Sequence, residues 1–234
     1  MNFKTIVCLG AILILASCSI AETIIVDADN TGWYNDRGTH WGSNDSNTTG
    51  KSFKSFIGEN PEYSNSYFVF TVPEIPLEIT KVVLCLELTY YTSNDPYEDV
   101  KISSVSTPVD ELVADHYDSY GIYNDLMDGP ELAMWRIPDD ALYGDFDNEK
   151  TLLYCTLNEL GKNLVTEASG GQFAIGLSLV DMTGESFQYL GFNSGYGDST
   201  VRTHQLHITT VPEPAAMVLL TIGAFFLNRR KTNQ

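Results

Sequence analysis

The chain has 234 residues, with 31 Asp+Glu against 13 Lys+Arg and a formal net charge of −18. A molecule this acidic repels a phosphate backbone, which excludes nucleic acid as a partner. Apolar residues at 43% and aromatics at 12% are too many for a disordered acidic tail, so the chain buries a core, and its length suits one domain. In chain order, the first element runs from Met1 to Ala21. A basic start ending at Lys4 precedes the apolar run Thr5 to Ala16, which has the length of a secretory h-region and is too short to span a bilayer. Ser19 and Ala21 are small enough for the minus-three and minus-one pockets of a signal peptidase, giving a cut before Glu22 and a signal peptide over 1–21.

A competing reading of the same end takes Leu15-Ala16-Ser17-Cys18, which resembles a lipoprotein lipobox and would leave Cys18 as an acylated N-terminus. Beyond Glu22 the dominant period is two. Phe68, Phe70 and Val72 alternate with Val69 and Thr71; Val82, Leu84, Leu86, Leu88 and Tyr90 alternate with Lys81, Val83, Cys85, Glu87 and Thr89. Phe173, Ile175, Leu177 and Leu179 alternate with Gln172, Ala174, Gly176 and Ser178, the pattern of half-buried antiparallel strands. Thr23 to Ala28, Asp99 to Val105, Ala133 to Ile137, Thr151 to Leu157, Ser186 to Phe192 and Val201 to Val211 complete roughly nine short strands. Spaced by Gly, Asn, Asp and Pro clusters, they predict an all-β ectodomain over 22–208, a β-sandwich or jelly roll. Two short helices interrupt it: Pro108 to Asp115, with Pro108 at the first helical position, and Glu159 to Ala168, capped by Asn158 and stopped by Gly170-Gly171.

Catalytic motifs are scarce. The histidines are His40, His116, His204 and His207, and the last two are three apart in a strand, so they point to opposite faces and do not converge on zinc. No HExxH, GxSxG or Gly-rich phosphate loop occurs. Cys85 and Cys155 survive removal of the signal, and alternation sets them against pairing: Cys155 shares a face with Leu153 and Leu157, Cys85 with Lys81 and Glu87. Asp27 and Asp29 before Gly32, and Asp145 and Asp147 after Gly144, have the oxygen-rich, turn-forming character of calcium loops without the full EF-hand order, so no cofactor is expected beyond a weak calcium candidate. The segment from Trp33 to Gly42 combines the residue types that contact sugars: Trp33, Tyr34 and Trp41 as stacking rings, Asp36 and Arg37 as hydroxyl partners. The same rings also suit a plug for the end of the core, and Trp135 beside Arg136 carries the same ambiguity.

The last element begins at Thr209-Thr210-Val211-Pro212, read as a short stalk. Val211-Pro212-Glu213-Pro214 is followed by the uncharged run Ala215 to Leu227 and by Arg229-Arg230-Lys231. As a helix, the run over 215–227 is roughly 20 Å long, short against a bilayer core, so it suits a transient anchor held with its end cytoplasmic by the basic cluster. Pro-Glu-Pro, a short helix and an Arg cluster together resemble the PEP-CTERM sorting signal of Gram-negative bacteria that make exopolysaccharide, here over 209–234. The resemblance implies an exosortase that recognises Pro212-Glu213-Pro214 and removes the tail during transfer to the surface, the chain being substrate rather than enzyme. Ser66-Tyr67-Phe68-Val69-Phe70 and Gly170-Gly171-Gln172-Phe173-Ala174-Ile175-Gly176 are similar to acidic PEP-CTERM ectodomains, a likeness that implies no activity.

Without both tags the ectodomain carries a net charge of about −21, which keeps it soluble and repels anionic polymers. The reading is a non-enzymatic, exported envelope, surface or matrix protein. Its processing partners are signal peptidase, exosortase and the inner membrane. The second reading is a carbohydrate-binding module for exopolysaccharide or a plant or algal glycan; the third is an acidic glycan-active enzyme, since two carboxylates across a cleft would suffice.

Overall fold

A computed structural model describes residues 21–41, 48–53, 61–93, 96–114, 119–138, 151–180, 188–192 and 203–211. The signal segment, the sorting segment from Pro212 onward, His116, Asp145 and Asp147 lie outside the described residues, apart from the exposed Ala21.

Among the described residues the strands are β1 (Glu22–Asn35), β2 (His40–Trp41), β3 (Thr48–Phe53), β4 (Pro61–Thr71), β5 (Glu78–Leu88), β6 (Tyr90–Thr92), β7 (Tyr97–Ser104), β8 (Glu131–Pro138), β9 (Thr151–Thr156), β10 (Gln172–Leu179), β11 (Gln188–Gly191) and β12 (His204–Val211). The helices are α1 (Val109–Leu112), α2 (Tyr120–Asp128) and α3 (Glu159–Glu167). The strands form one antiparallel sheet in the order β6-β11-β3-β4-β1-β12-β5-β9, with β10 on β4, β7 on β10, β8 on β7 and β2 on β1. The fold is therefore all-β, and every predicted strand is present. β2, β3 and β6 are additional; β2 and β6 have only two and three residues, too few to show alternation, and β3 reads Thr-Thr-Gly-Lys-Ser-Phe, with no apolar residue before Phe53.

β1 holds the sheet together because it belongs to two neighbourhoods. Glu22 to Asp27 pair with β12, and Ala28 to Asn35 pair with β4, with an irregularity between Ala28 and Asn30 where the strand changes partner. Such a bulge bends a strand and sharpens its twist. Asp29 sits at the bend, and its carboxylate accepts the Thr71 amide at the far end of β4. The Asp27-Asp29 stretch is thus extended strand and not the turn expected of a calcium loop: its carboxylates serve sheet geometry, Asp27 Oδ1 accepting from Gln205 Nε2 at 2.8 Å.

Inward-facing Phe68 and Phe70 (β4), Leu84 and Leu86 (β5), Ile175 and Leu177 (β10), Ile102 (β7) and Ile208 (β12) meet in one buried cluster, with Val165 of α3 at its edge. The opposite face of β4 and β10 is not solvated as strict alternation predicts. Tyr67, Val69 and Ala174 are covered by Leu112 of α1 and by Ile122 and Leu126 of α2. Helix α2 escaped the sequence reading because Gly121, Asn124 and Asp125 weaken its propensity, and Ile122 and Leu126 alone mark its apolar side. Pro108 stands at the N-cap of α1, one residue before the predicted first turn. Asn158 caps α3 as expected, its Oδ1 accepting from Gly161 N at 3.0 Å, and Gly170 follows in the left-handed region at φ 78.

The residues read as a stalk belong to the sheet. Thr210 is fully buried and pairs with Glu22 and Ile79, and Val211 pairs with Glu78, so the sheet extends to Val211. No described helix is long and apolar enough to cross a membrane.

Candidate functional site

The loop singled out by its aromatic content is a β1–β2 hairpin whose turn is built by Asn35. Asn35 Oδ1 accepts from Arg37 N at 3.1 Å and Thr39 N at 2.7 Å, while Nδ2 donates to Glu62 Oε1 at 2.7 Å. A short amide side chain of this kind substitutes for backbone in tight turns. Gly38 completes the turn at φ 74, a region that costs glycine nothing, and its carbonyl accepts from Ser119 N at 3.1 Å, tying the loop to the start of α2.

Beneath the turn lies a layer of buried aromatic and polar groups. The Tyr34 ring stacks on His40 with centroids 4.4 Å apart, and its hydroxyl donates to the Leu112 carbonyl at 2.9 Å. The Tyr67 hydroxyl donates to Asn30 Oδ1 at 3.4 Å and therefore accepts from His40 Nε2 at 3.0 Å, which places the His40 proton on Nε2. Asp36 donates its backbone N–H to Tyr63 O at 2.9 Å, but its Oδ1 is buried with no hydrogen-bond partner. Burial, reinforced by the Glu62 charge, pushes the Asp36 carboxyl above its ordinary value despite Arg37 and the backbone donors. Half-buried Tyr123 of α2, near Asp36 and Tyr63, is pushed up to about 12, chiefly by desolvation.

Because a raised folded-state value favours the protonated form, Asp36 opposes folding once pH rises through that value. Asp36→Asn therefore raises the melting temperature at pH 7. The gain shrinks toward zero as pH falls and wild-type Asp36 protonates, a trend that thermal melts from pH 4 to 8 measure directly; a gain independent of pH would contradict it.

The five sugar-contact candidates do not form one surface. Tyr34 is fully buried, since it faces the helices with Asn65 and Tyr67, and this removes it from contact with any surface ligand. Trp33 is half-buried on the opposite face, Asp36 turns inward, and Arg37 is exposed. Trp41 pairs its backbone with Trp33, and its side chain lies outside the described residues. Trp135 packs half-buried against the main cluster, while Arg136 points the other way into a two-bond contact with Asp99, 2.8 Å each, with its guanidinium 4.0 Å over the Tyr97 ring.

Cys85 and Cys155 are free thiols on adjacent strands with opposed faces, because Cys85 registers with Tyr154 and Cys155 with Leu84. Burial pushes the Cys155 thiol up to about 11. His204 and His207 point to opposite faces, His204 Nε2 lying 2.7 Å from Phe192 O. Among the described residues no three His, Cys, Asp or Glu side chains gather at one point for a metal.

One outward surface was not singled out by the sequence. On the face of β1, β12, β5 and β9 turned away from the main cluster, Ile25, His207, Val83 and Thr156 stand in one cross-strand row and Asp27, Gln205, Cys85 and Tyr154 in the next. Ile25 is 56% exposed, Tyr154 55% and Leu152 42%. The signal was present as apolar residues in both phases of Ile24-Ile25-Val26 and Leu152-Leu153-Tyr154, which alternation alone assigns to one face.

Fold and termini define a class: an acidic all-β domain whose last strand runs directly into a C-terminal sorting segment. Residues 210–231 match the PEP-CTERM protein-sorting motif, so the chain carries that motif, which indicates export and C-terminal sorting to the surface and is associated with exosortase processing. The match begins inside β12. No curated protein matches the chain. Among solved structures, the cleaved adhesin domain of Lys-gingipain from Porphyromonas gingivalis is similar at 14% identity over 82% of this chain and 94% of that one, with a TM-score of 0.31, too loose a likeness to carry an argument.

Proposed function

We propose that the protein is a non-enzymatic, surface-displayed β-sandwich released from two removable tags, a signal peptide over 1–21 and a short anchoring helix over 215–227. One observation carries the reading. The first and last strands pair with each other, Glu22 opposite Thr210 and Thr23 opposite Thr209, so the described sheet starts directly after the proposed signal and its last strand, ending at Val211, stops just before Pro212-Glu213-Pro214. Both tags then leave from the same end of the sheet, and their removal deletes no described strand. The inward use of Asn35, Asp36 and His40 for turn and core supports a structural role for the loop over a catalytic one. Signal peptidase, exosortase and the inner membrane are the processing partners in this account.

Intact mass and terminal sequencing of the protein from its native host test it. The expected product starts at Glu22 and ends near Pro212-Glu213-Pro214. A product that keeps Ala215 to Lys231 overturns tail removal and makes the helix a lasting anchor. A start at an acylated Cys18 overturns the cut before Glu22.

A second reading, glycan binding, is favoured by the exposed apolar and hydrogen-bonding rows of the outer β1-β12-β5-β9 face rather than by the Trp33 loop.

A further inference from the structure

We infer that the outer face of β1, β12, β5 and β9 is a binding platform for an uncharged polysaccharide chain, with Tyr154 as its stacking ring and Asp27 and Gln205 as its hydroxyl partners. The inference deepens the glycan-binding reading and rests on it.

Three observations converge. First, the Tyr154 ring is held although it is exposed. Tyr154 stands directly across from Cys85 on β5, and His207 meets its ring nearly edge-on at 6.0 Å between centroids. A ring leaning over the neighbouring strand with its orientation fixed in advance loses little entropy when a ligand stacks on it. Second, the polar groups of the same row are held in order. Asp27 Oδ1 accepts from Gln205 Nε2 at 2.8 Å, and Gln205 Oε1 lies 3.1 Å from His207 Nε2, which is therefore the donor. The second oxygen of Asp27 and the outward edges of the Gln205 amide present acceptors and donors spaced along the sheet. Third, the row from Asp27 to Tyr154 crosses three strand spacings, roughly 14 Å, with Cys85 buried between Gln205 and the exposed Tyr154.

Apolar side chains beside ordered amide and carboxylate groups suit a ligand that is itself apolar on its ring faces and hydroxylated on its edges, which is the chemistry of a sugar chain. Charge selects among such chains. With a net charge of −18 and the Asp27 carboxylate inside the row, the platform repels a uronate or sulfated polymer and accepts a neutral one.

The test is calorimetric titration of the full-length chain in lipid nanodiscs with three neutral polysaccharides, hydroxyethylcellulose, soluble starch and galactomannan, and with alginate as the anionic comparator. At least one neutral polymer binds and alginate does not. Tyr154→Ala and Gln205→Ala each weaken binding at least tenfold with unchanged circular dichroism. Tyr97→Ala, which removes an exposed ring on β7, changes binding less than twofold. The inference is overturned by absence of binding to all three neutral polymers, by tighter binding to alginate, or by binding that survives Tyr154→Ala. Sedimentation showing a dimer that Tyr154→Ala dissociates would also overturn it, since the face would then be covered by a second copy of the chain. None of these outcomes bears on the terminal cuts, which the mass measurement decides independently.

Discussion

Gly176→Ala lowers the stability of the domain by roughly 2–3 kcal/mol, the cost of forcing extra volume into a packed interface. Gly176 lies on β10 where α2 rests on the sheet, and a Cβ there would stand 2.4 Å from the Leu126 carbonyl oxygen and 2.8 Å from its Cα. Both atoms are backbone, so no side-chain rotation relieves the clash, and the helix must lift. Lifting α2 uncovers Tyr67, Val69 and Ala174 and slackens the contact of Ser119 with the Gly38 turn. Gly121→Ala on the same helix has the opposite sign. Nothing stands within 4 Å of its Cβ position, so the substitution supplies helix propensity alone and stabilises by about 0.5–1 kcal/mol. Urea unfolding followed by tryptophan fluorescence separates the two; equal effects would contradict the close approach of α2 to β10.

Asp125→Ala costs roughly 2–3 kcal/mol at pH 7, because one carboxylate holds the entry to α1. It accepts from Ser106 N at 2.9 Å, Thr107 N at 2.7 Å and both hydroxyls at 2.7 Å. Burial acts to raise its carboxyl value, but the four donors outweigh burial and hold it below the ordinary range. With a depressed folded-state value, the stabilisation is fully present above the unfolded value of about 3.9 and is lost as pH falls through the lower folded value. The gap between wild type and Asp125→Ala therefore stays constant from pH 8 to about 5 and closes only in stronger acid. A gap that closes near neutrality would mean that the carboxylate is not the group holding the linker.

These two sites show where sequence reasoning stops. Asp125 reads as an ordinary polar residue and Gly176 as a small residue on a solvated strand face, and neither is marked as structural until α2 is seen to lie on β10. The Trp33 to Gly42 loop shows the same limit from the other side. Its composition suggests a binding surface, but Asn35 closes the turn on itself and the Gly38–Ser119 bond draws it under α2, so Tyr34 becomes core. Tyr154, by contrast, sits in a strand that was legible, yet its exposure depends on which face of β9 the main cluster takes.

Local information suffices wherever one physical rule acts along the chain. Length and charge, the two-residue period of β4, β5 and β10, the Asn158 cap and the order of motif, apolar run and basic cluster at the C-terminus are all of this kind, and they determine an all-β, acidic, C-terminally sorted protein. What the tertiary structure alone decided depends on distant segments meeting. It placed α1 and α2 over the second face of β4 and β10, carried β12 to Val211 and joined the two ends of the domain as a strand pair. It also left Ile25, Leu152 and Tyr154 exposed on the outer side of β1 and β9 while burying Cys85 and Glu87 of β5 between them, because burial belongs to the assembled sheet and not to any strand within it.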